Sequence, residues 1–274
     1  DGDGRVTGVS VIGDDGEETT LAAPLVIGAD GLRSVIGRRL DLTRVSRYPR
    51  RIAFVAHYRG IAGITEMGEM HVERDGYVGI ADIGSDVTNV ALVVPARAVK
   101  ESDHAPDALL EAWIAGHPHL AERFAGATRL DPVRATGPFA SRASRAWAPG
   151  AALVGDAADF FDPFTGEGVY TALRGGELLA PFAMRAARAD TARSASEALA
   201  AYEEARRAEF GGKWMVERLI AGTVAVPALI NHAARALSRR REMADLLVGV
   251  AGDFVPPREV LRAGYFARLL LFGV

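Results

Sequence analysis

The sequence predicts a mixed α/β fold, of the α+β kind, on three observations. Two strand-turn-helix units, one ending its strand at Leu25-Val26-Ile27 and one at Ala151-Ala152-Leu153-Val154, bracket the middle of the chain. Between them, residues 51–94 alternate apolar and polar side chains in short runs separated by Gly and Asp, the pattern of an antiparallel sheet. Beyond Ala195 the pattern is helical throughout.

Taken in order, Asp1-Gly2-Asp3-Gly4 is turn chemistry, followed by an alternating run from Arg5 to Ile12, an Asp-Asp-Gly turn at 14–16 and a third extended run reaching Ile27. A start in the middle of a meander is expected of a fragment or processed product, and a cytoplasmic location is expected. Gly28-Ala29-Asp30-Gly31 then turns the chain into the arginine-rich stretch Leu32–Leu40, which can be helical. In the middle region, strands are expected at 52–58, 69–72, 77–83 and 88–94. Helices follow from Pro106 through Ile114 and from Pro118 to Phe124, and extended chain returns at 133–139. After the second strand, a loop over 157–165 leads into a helix from about Gly166 to Arg188.

Composition narrows the function classes. The chain has 274 residues, 49% hydrophobic and 24% charged, the make-up of a globular protein and not of a disordered or fibrous one. Of its 32 basic residues only Lys100 and Lys213 are lysine, yet 35 acidic residues leave a formal charge of −3. That balance gives no unbalanced basic face for nucleic acid, and the arginine preference is a coding bias. With no cysteine there is no disulfide framework, no thiolate metal site and no cysteine nucleophile. The longest apolar run, 219–230, is broken by Pro227 and falls well short of the roughly 20 residues that a membrane helix needs. A serine hydrolase lacks its G-x-S-x-G elbow.

The informative segment is residues 155–169, Gly-Asp-Ala-Ala-Asp-Phe-Phe-Asp-Pro-Phe-Thr-Gly-Glu-Gly-Val. An acidic residue at the carboxyl end of a parallel strand can accept hydrogen bonds from sugar or ribityl hydroxyls. A glycine-rich helix start exposes backbone N–H groups whose positive end favours developing negative charge. Together they fit a nucleotide cofactor whose polyol is held by Asp156 and whose reactive ring abuts Gly168.

This segment resembles the second FAD-binding motif of the flavoprotein family that includes para-hydroxybenzoate hydroxylase, geranylgeranyl reductase and the flavin-dependent halogenases. Gly28-Ala29-Asp30-Gly31 with Arg33-Ser34 resembles the same family's Asp-Gly motif. The resemblance implies a Rossmann-like FAD-binding domain formed by residues 1–50 and 135–195, an inserted antiparallel-sheet substrate domain at 51–134 and a C-terminal helical region at 196–274. It implies that Gly155 permits the close turn and that Asp156 binds the ribityl chain. Pro163 would lie beside the isoalloxazine, and the backbone at Gly166, Gly168 and Val169 would face its pyrimidine edge. Asp30 and Gly31 would lie near the pyrophosphate. The family's arginine three residues after the serine is here Gly37, with Arg38 one place later. Nothing before residue 28 resembles the family's G-x-G-x-x-G unit, so weak or absent FAD binding by these residues alone is expected.

The implied activity is an FAD-dependent oxidoreductase with NAD(P)H as reductant and an apolar or aromatic small molecule as substrate, either a hydroxylase or a geranylgeranyl-reductase-like enzyme. The alternative is a non-catalytic fragment or split subunit that binds a partner chain or an apolar ligand. Tyr77, in Gly76-Tyr77-Val78-Gly79, is the candidate substrate-facing side chain; core packing is the competing reading. Glu167 reads as a helix-start carboxylate rather than an acid-base group, and Asp159 with Asp162 lacks the further ligands of a metal site. His117-Pro118-His119 reads as a solvated turn without partners. The apolar helices around 219–229 and 269–272 read as core or homodimer packing, with enclosure of an apolar substrate or membrane-surface contact as the lesser alternatives.

Overall fold

The computed structural model describes residues 1–45, 50–101, 105–139, 141–160 and 162–271. Phe161 and Phe272, both within segments singled out above, lie outside the described residues. The chain divides into two units, Asp1–Ser46 with Ser141–Val274, and Arg47–Ala140. Several sheets and helices make up a mixed α/β structure.

The second unit is an antiparallel sheet in the spatial order Arg134–Thr136, Arg51–Arg59, Thr88–Pro95, Tyr77–Asp82, Glu69–Val72, with Thr128–Arg129 also pairing onto Arg51–Arg59. Its alternation is what the sequence pattern requires, since successive side chains point to opposite faces. Phe54, Ala56 and Tyr58, Val78 and Ile80, and Val90, Leu92 and Val94 form one buried face. Leu109, Leu110, Trp113 and Ile114 of the helix Pro106–Ala115, with Leu120 of the helix Pro118–Phe124, complete that core. The His117-His119 pair departs from the solvated-turn expectation. His117 precedes the helix that Pro118 opens, its ring lies 4.1 Å from the Trp113 ring, and its Nδ1 is 2.7 Å from the Trp113 carbonyl oxygen. His119 Nε2 lies 3.7 Å from Glu73.

In the first unit, the hairpin Gly8–Ile12 with Glu18–Ala22 turns through Asp14-Asp15-Gly16. Val26–Gly28 pairs in parallel with Ala151–Leu153, which pairs antiparallel with Trp147–Ala148. A second small sheet, not expected from the sequence, joins Asp159–Phe160, Ser141–Ala143 and Thr43–Val45. The helix expected over 32–40 is confined to Val35–Arg39, because the Ser34 hydroxyl caps it by accepting from the Gly37 N–H at 2.8 Å. Gly37 cannot carry the arginine of the family pattern: a Cβ there would sit 2.2 Å from the Thr43 hydroxyl. Arg38 instead donates to the Arg33 carbonyl.

Two helices, Gly168–Ala187 and Ala192–Val224, pack on the parallel pair. Leu153, Leu179, Leu199 and Tyr202 are buried in one cluster, and the Tyr202 hydroxyl donates to the Leu153 carbonyl at 3.0 Å. The start of the 196–274 segment thus shares a core with the strand it follows, and 196–274 is not a unit of its own. Pro227–Arg239, Arg241–Ala251 and Ala263–Leu271 are helical, with Val216, Val250 and Val260 in a smaller cluster. Among the described residues no single helix is long and apolar enough to cross a membrane. Ala192–Val224 and Pro227–Arg239 pass that test only as a pair, bent by 112°.

Candidate cofactor site

The site begins where the strand Ala151–Leu153 ends. Gly155 takes φ +62°, a left-handed turn that glycine adopts without cost. A Cβ there would meet the Ala172 Cβ at 3.2 Å, so the missing side chain also lets the turn sit against the helix Gly168–Ala187. Gly175, one turn further along that helix, faces Val154 in the same way, its absent Cβ 3.1 Å from the valine methyl. These two contacts bring Asp156 beside the helix start: a Cβ on Gly168 would lie 3.9 Å from Asp156 Oδ1.

From Asp162 the loop is built by its own side chains. The Asp162 carboxylate accepts from the Phe164 N–H at 3.1 Å, Pro163 opens a short 3-10 turn, and Gly166 ends it at φ +73°. The first bond inside the following helix runs from the Thr171 N–H to the Glu167 carbonyl. The N–H groups of Gly168, Val169 and Tyr170 therefore precede the helical ladder, at the positive end of a helix of 20 residues.

Two cavities meet at this point. One, of about 250 Å³, is lined by Gly155, Asp156, Pro163, Gly166, Gly168 and Val169 together with Tyr202, Arg206, Phe210, Trp214 and Glu217 of the long helix. The other, of about 380 Å³, is lined by Ala29, Gly31 and Val154 and again by Gly155, Asp156, Gly168 and Val169. Gly31, Gly155, Asp156, Pro163, Gly166, Gly168 and Val169 are thereby brought together. Asp30 does not line either cavity. Its carboxylate accepts from the Val35 N–H at 2.6 Å and the Ile36 N–H at 3.3 Å, tying the Asp-Gly turn to the short helix behind it. Burial works to raise its carboxyl, but the Ser34 hydroxyl and these N–H groups hold it below its ordinary value. Tyr77 lies in the other unit, almost fully buried, with the Arg51 guanidinium 5.8 Å from its ring centre, and lines neither cavity.

The wall supplied by Ala192–Val224 was not visible as part of a site in the sequence, although residues 202, 206, 210, 213, 214 and 217 recur at helical spacing. Charged side chains on the buried stripe of that helix were the available signal. Arg206 is ion-paired with Asp159 and with Glu203, all three nearly solvent-free. Asp159 is thus a structural partner of Arg206 rather than half of a metal pair, though burial still pushes its carboxyl up. Glu167 is not a surface carboxylate: it turns inward to Lys213 Nζ at 2.9 Å, and burial raises its carboxyl against the pull of that lysine.

Asp156 differs from these. It is half-buried, burial alone pushes its carboxyl up, and no side chain or N–H among the described residues donates to it. A desolvated carboxylate without a partner is costly unless a ligand supplies hydrogen bonds. Space is open where a Cβ would sit on Gly31 and Gly166, both at positive φ. An acceptor for hydroxyls, open backbone on two sides and a helix N-terminus are the groups that a polyol joined to an electron-accepting ring needs, so the residues present fit FAD.

Comparison with known proteins agrees. Residues 1–212 match the family described as FAD binding domain. Digeranylgeranylglycerophospholipid reductase 2 of Methanopyrus kandleri is 30% identical over 262 residues, covering 92% of this chain and 63% of that protein. Digeranylgeranylglycerophospholipid reductase 1 of Methanococcoides burtonii is 30% identical over 210 residues, covering 72% and 47%. The chain thus spans less than two thirds of the length of these relatives. Among solved structures, a triple mutant of the flavin-dependent brominase Bmp2 superposes with a TM-score of 0.76 at 22% identity, over 97% of this chain and 67% of that one. Halogenase PltM in complex with phloroglucinol and FAD superposes at 0.66 and 15% identity, over 96% and 55%. The structural likenesses establish a shared fold, and with the sequence match they show that the chain belongs to the FAD-binding flavoprotein family that includes the geranylgeranyl reductases and flavin-dependent halogenases.

Proposed function

We propose that the chain forms the ring and ribityl side of an FAD site in an oxidoreductase that uses NAD(P)H to reduce the flavin and then reduces a double bond in an apolar, isoprenoid-like substrate. The observation that carries the flavin part is the Asp156 carboxylate, without a partner among the described residues, facing the Gly166–Val169 backbone across one cavity. Asp156 would hold the ribityl hydroxyls, and Gly155 would let them approach. Pro163 would flank the ring, while the N–H groups of Gly168 and Val169 would favour negative charge on its pyrimidine edge. Asp30, by bracing its turn, would present Gly31 toward the pyrophosphate. Bound FAD would supply the hydride chemistry, and the protein would supply position and a dry pocket. The reductase choice over a hydroxylase is supported by relatives of 28% to 30% identity that are digeranylgeranylglycerophospholipid reductases.

Asp156→Asn keeps the shape and removes the charge. Loss of charge-assisted hydrogen bonds to the ribityl chain should weaken FAD binding about 10- to 100-fold, read by quenching of flavin fluorescence. Unchanged affinity in a folded variant would contradict the assignment. For the reaction, turnover is measured anaerobically and under labelled oxygen: undiminished anaerobic product supports the reductase, and label in the product supports the hydroxylase.

A second reading is a non-catalytic chain that binds a partner. Val169 and Leu173, at the helix start, are 75% and 69% exposed, and this favours a covering chain. A protein that binds no flavin but forms a stable complex through this face would support it.

A further inference from the structure

We propose that Glu217 stores a proton in the 250 Å³ cavity and yields it to a bound ligand group that gains negative charge there. This rests on the flavin reading of the cavity. Glu217 follows Lys213 by four residues and Trp214 by three on the helix Ala192–Val224, so it falls on the same inward stripe. It lines the cavity together with Asp156, Pro163, Gly166 and Gly168.

No cation among the described residues forms an ion pair with Glu217. Lys213 Nζ lies 2.9 Å from Glu167 Oε2 and 2.8 Å from Asp253 Oδ1, and its face is covered by the Tyr170 ring at 4.4 Å. Arg206, which lines the cavity, is taken by Asp159 and Glu203. Glu167, Asp159 and Asp162 then face Glu217 as further negative charges, and no described side chain or N–H donates to it. A half-buried carboxyl in that setting is more stable with its proton than without it. Burial first, and the Glu167 charge next, push it up to about 7 despite Lys213.

When negative charge develops on a ligand, the O–H bond at Glu217 breaks and a bond to hydrogen forms on the acceptor. The carboxylate left behind stays ionised for as long as the acceptor keeps that proton, and the residue exchanges no electrons. Glu217 differs in this from Glu167, whose charge is committed to Lys213.

The test is a pH titration of the 274-residue chain carrying carboxyl-labelled glutamate, followed by NMR first without FAD and then with FAD oxidised and reduced. Without FAD, one carboxyl resonance should titrate near 7 and be missing from Glu217→Gln. If that variant does not fold, Glu167→Gln identifies the resonance by moving its midpoint down, since it removes a neighbouring charge and frees Lys213. With FAD bound, reduction at neutral pH should shift the Glu217 resonance toward the ionised form. Titration of Glu217 in the ordinary carboxylate range, or a resonance unmoved by flavin reduction, overturns the proposal. A chain that takes up no FAD while Glu217 still titrates near 7 overturns the flavin reading, and with it the destination of the proton.

Discussion

Asp156 and Glu217 face one cavity and differ because their neighbours differ. Asp156 has burial alone acting on it, and ligand hydroxyls can relieve that. Glu217 has burial and the charges of Glu167, Asp159 and Asp162 acting together. The second case has a consequence for stability. A carboxyl whose folded value lies above its unfolded one gives the folded state more protons between the two values, so stability falls as pH rises across that window. For Glu217 the window runs from the ordinary 4.5 to about 7. The loss is complete above it, at roughly 3 kcal/mol. Glu217→Gln, a neutral near-isostere, should therefore raise the melting temperature clearly at pH 8 and little at pH 5. Equal effects at both values would contradict the charge account. Neither the Glu217 environment nor the Lys213 clasp was legible in the sequence, because Glu167, Lys213 and Asp253 lie far apart in the chain and meet only in the fold. Asp156 was legible as a candidate because its place depends on local order: strand end, glycine, acid, glycine-rich helix start.

Among the elements, those with a strong local signal formed as expected. The strand Glu69–Val72 and the helix that Pro118 opens follow directly from alternation and from proline at the first helical position. The sheet of Asp159–Phe160, Ser141–Ala143 and Thr43–Val45 was not foreseen, since two- and three-residue strands carry no periodicity and one of the two pairings joins segments about a hundred residues apart. The turn at Gly155 is where local chemistry and packing agree most closely. Gly155→Ala would place a methyl at φ +62° against Ala172 and should cost about 1 to 3 kcal/mol, seen as a lower urea midpoint with an unchanged slope. Gly166→Ala meets strain without a clash, because nothing lies within 4 Å, and should cost less. A Gly155 variant as stable as the parent would mean that the turn does not hold the helix where it is described.

At the scale of the whole molecule, two units with separate cores account for the chain, and the candidate site lies wholly in the first. The interrupted course of that unit, residues 1–46 and 141–274, was partly legible: two strand-turn-helix signals on either side of a β-rich stretch imply it. The inclusion of the long C-terminal helix was not, because Leu199 and Tyr202 join the core through tertiary contacts that composition does not announce. We propose above that this chain holds the ring and ribityl side of FAD through Asp156 and the Gly166–Val169 backbone. Competition against bound FAD tests it most directly, with riboflavin and ADP as the two competitors and flavin fluorescence as the readout. Riboflavin should displace FAD, and Asp156→Asn should weaken both flavins alike. Displacement by ADP but not by riboflavin would contradict it.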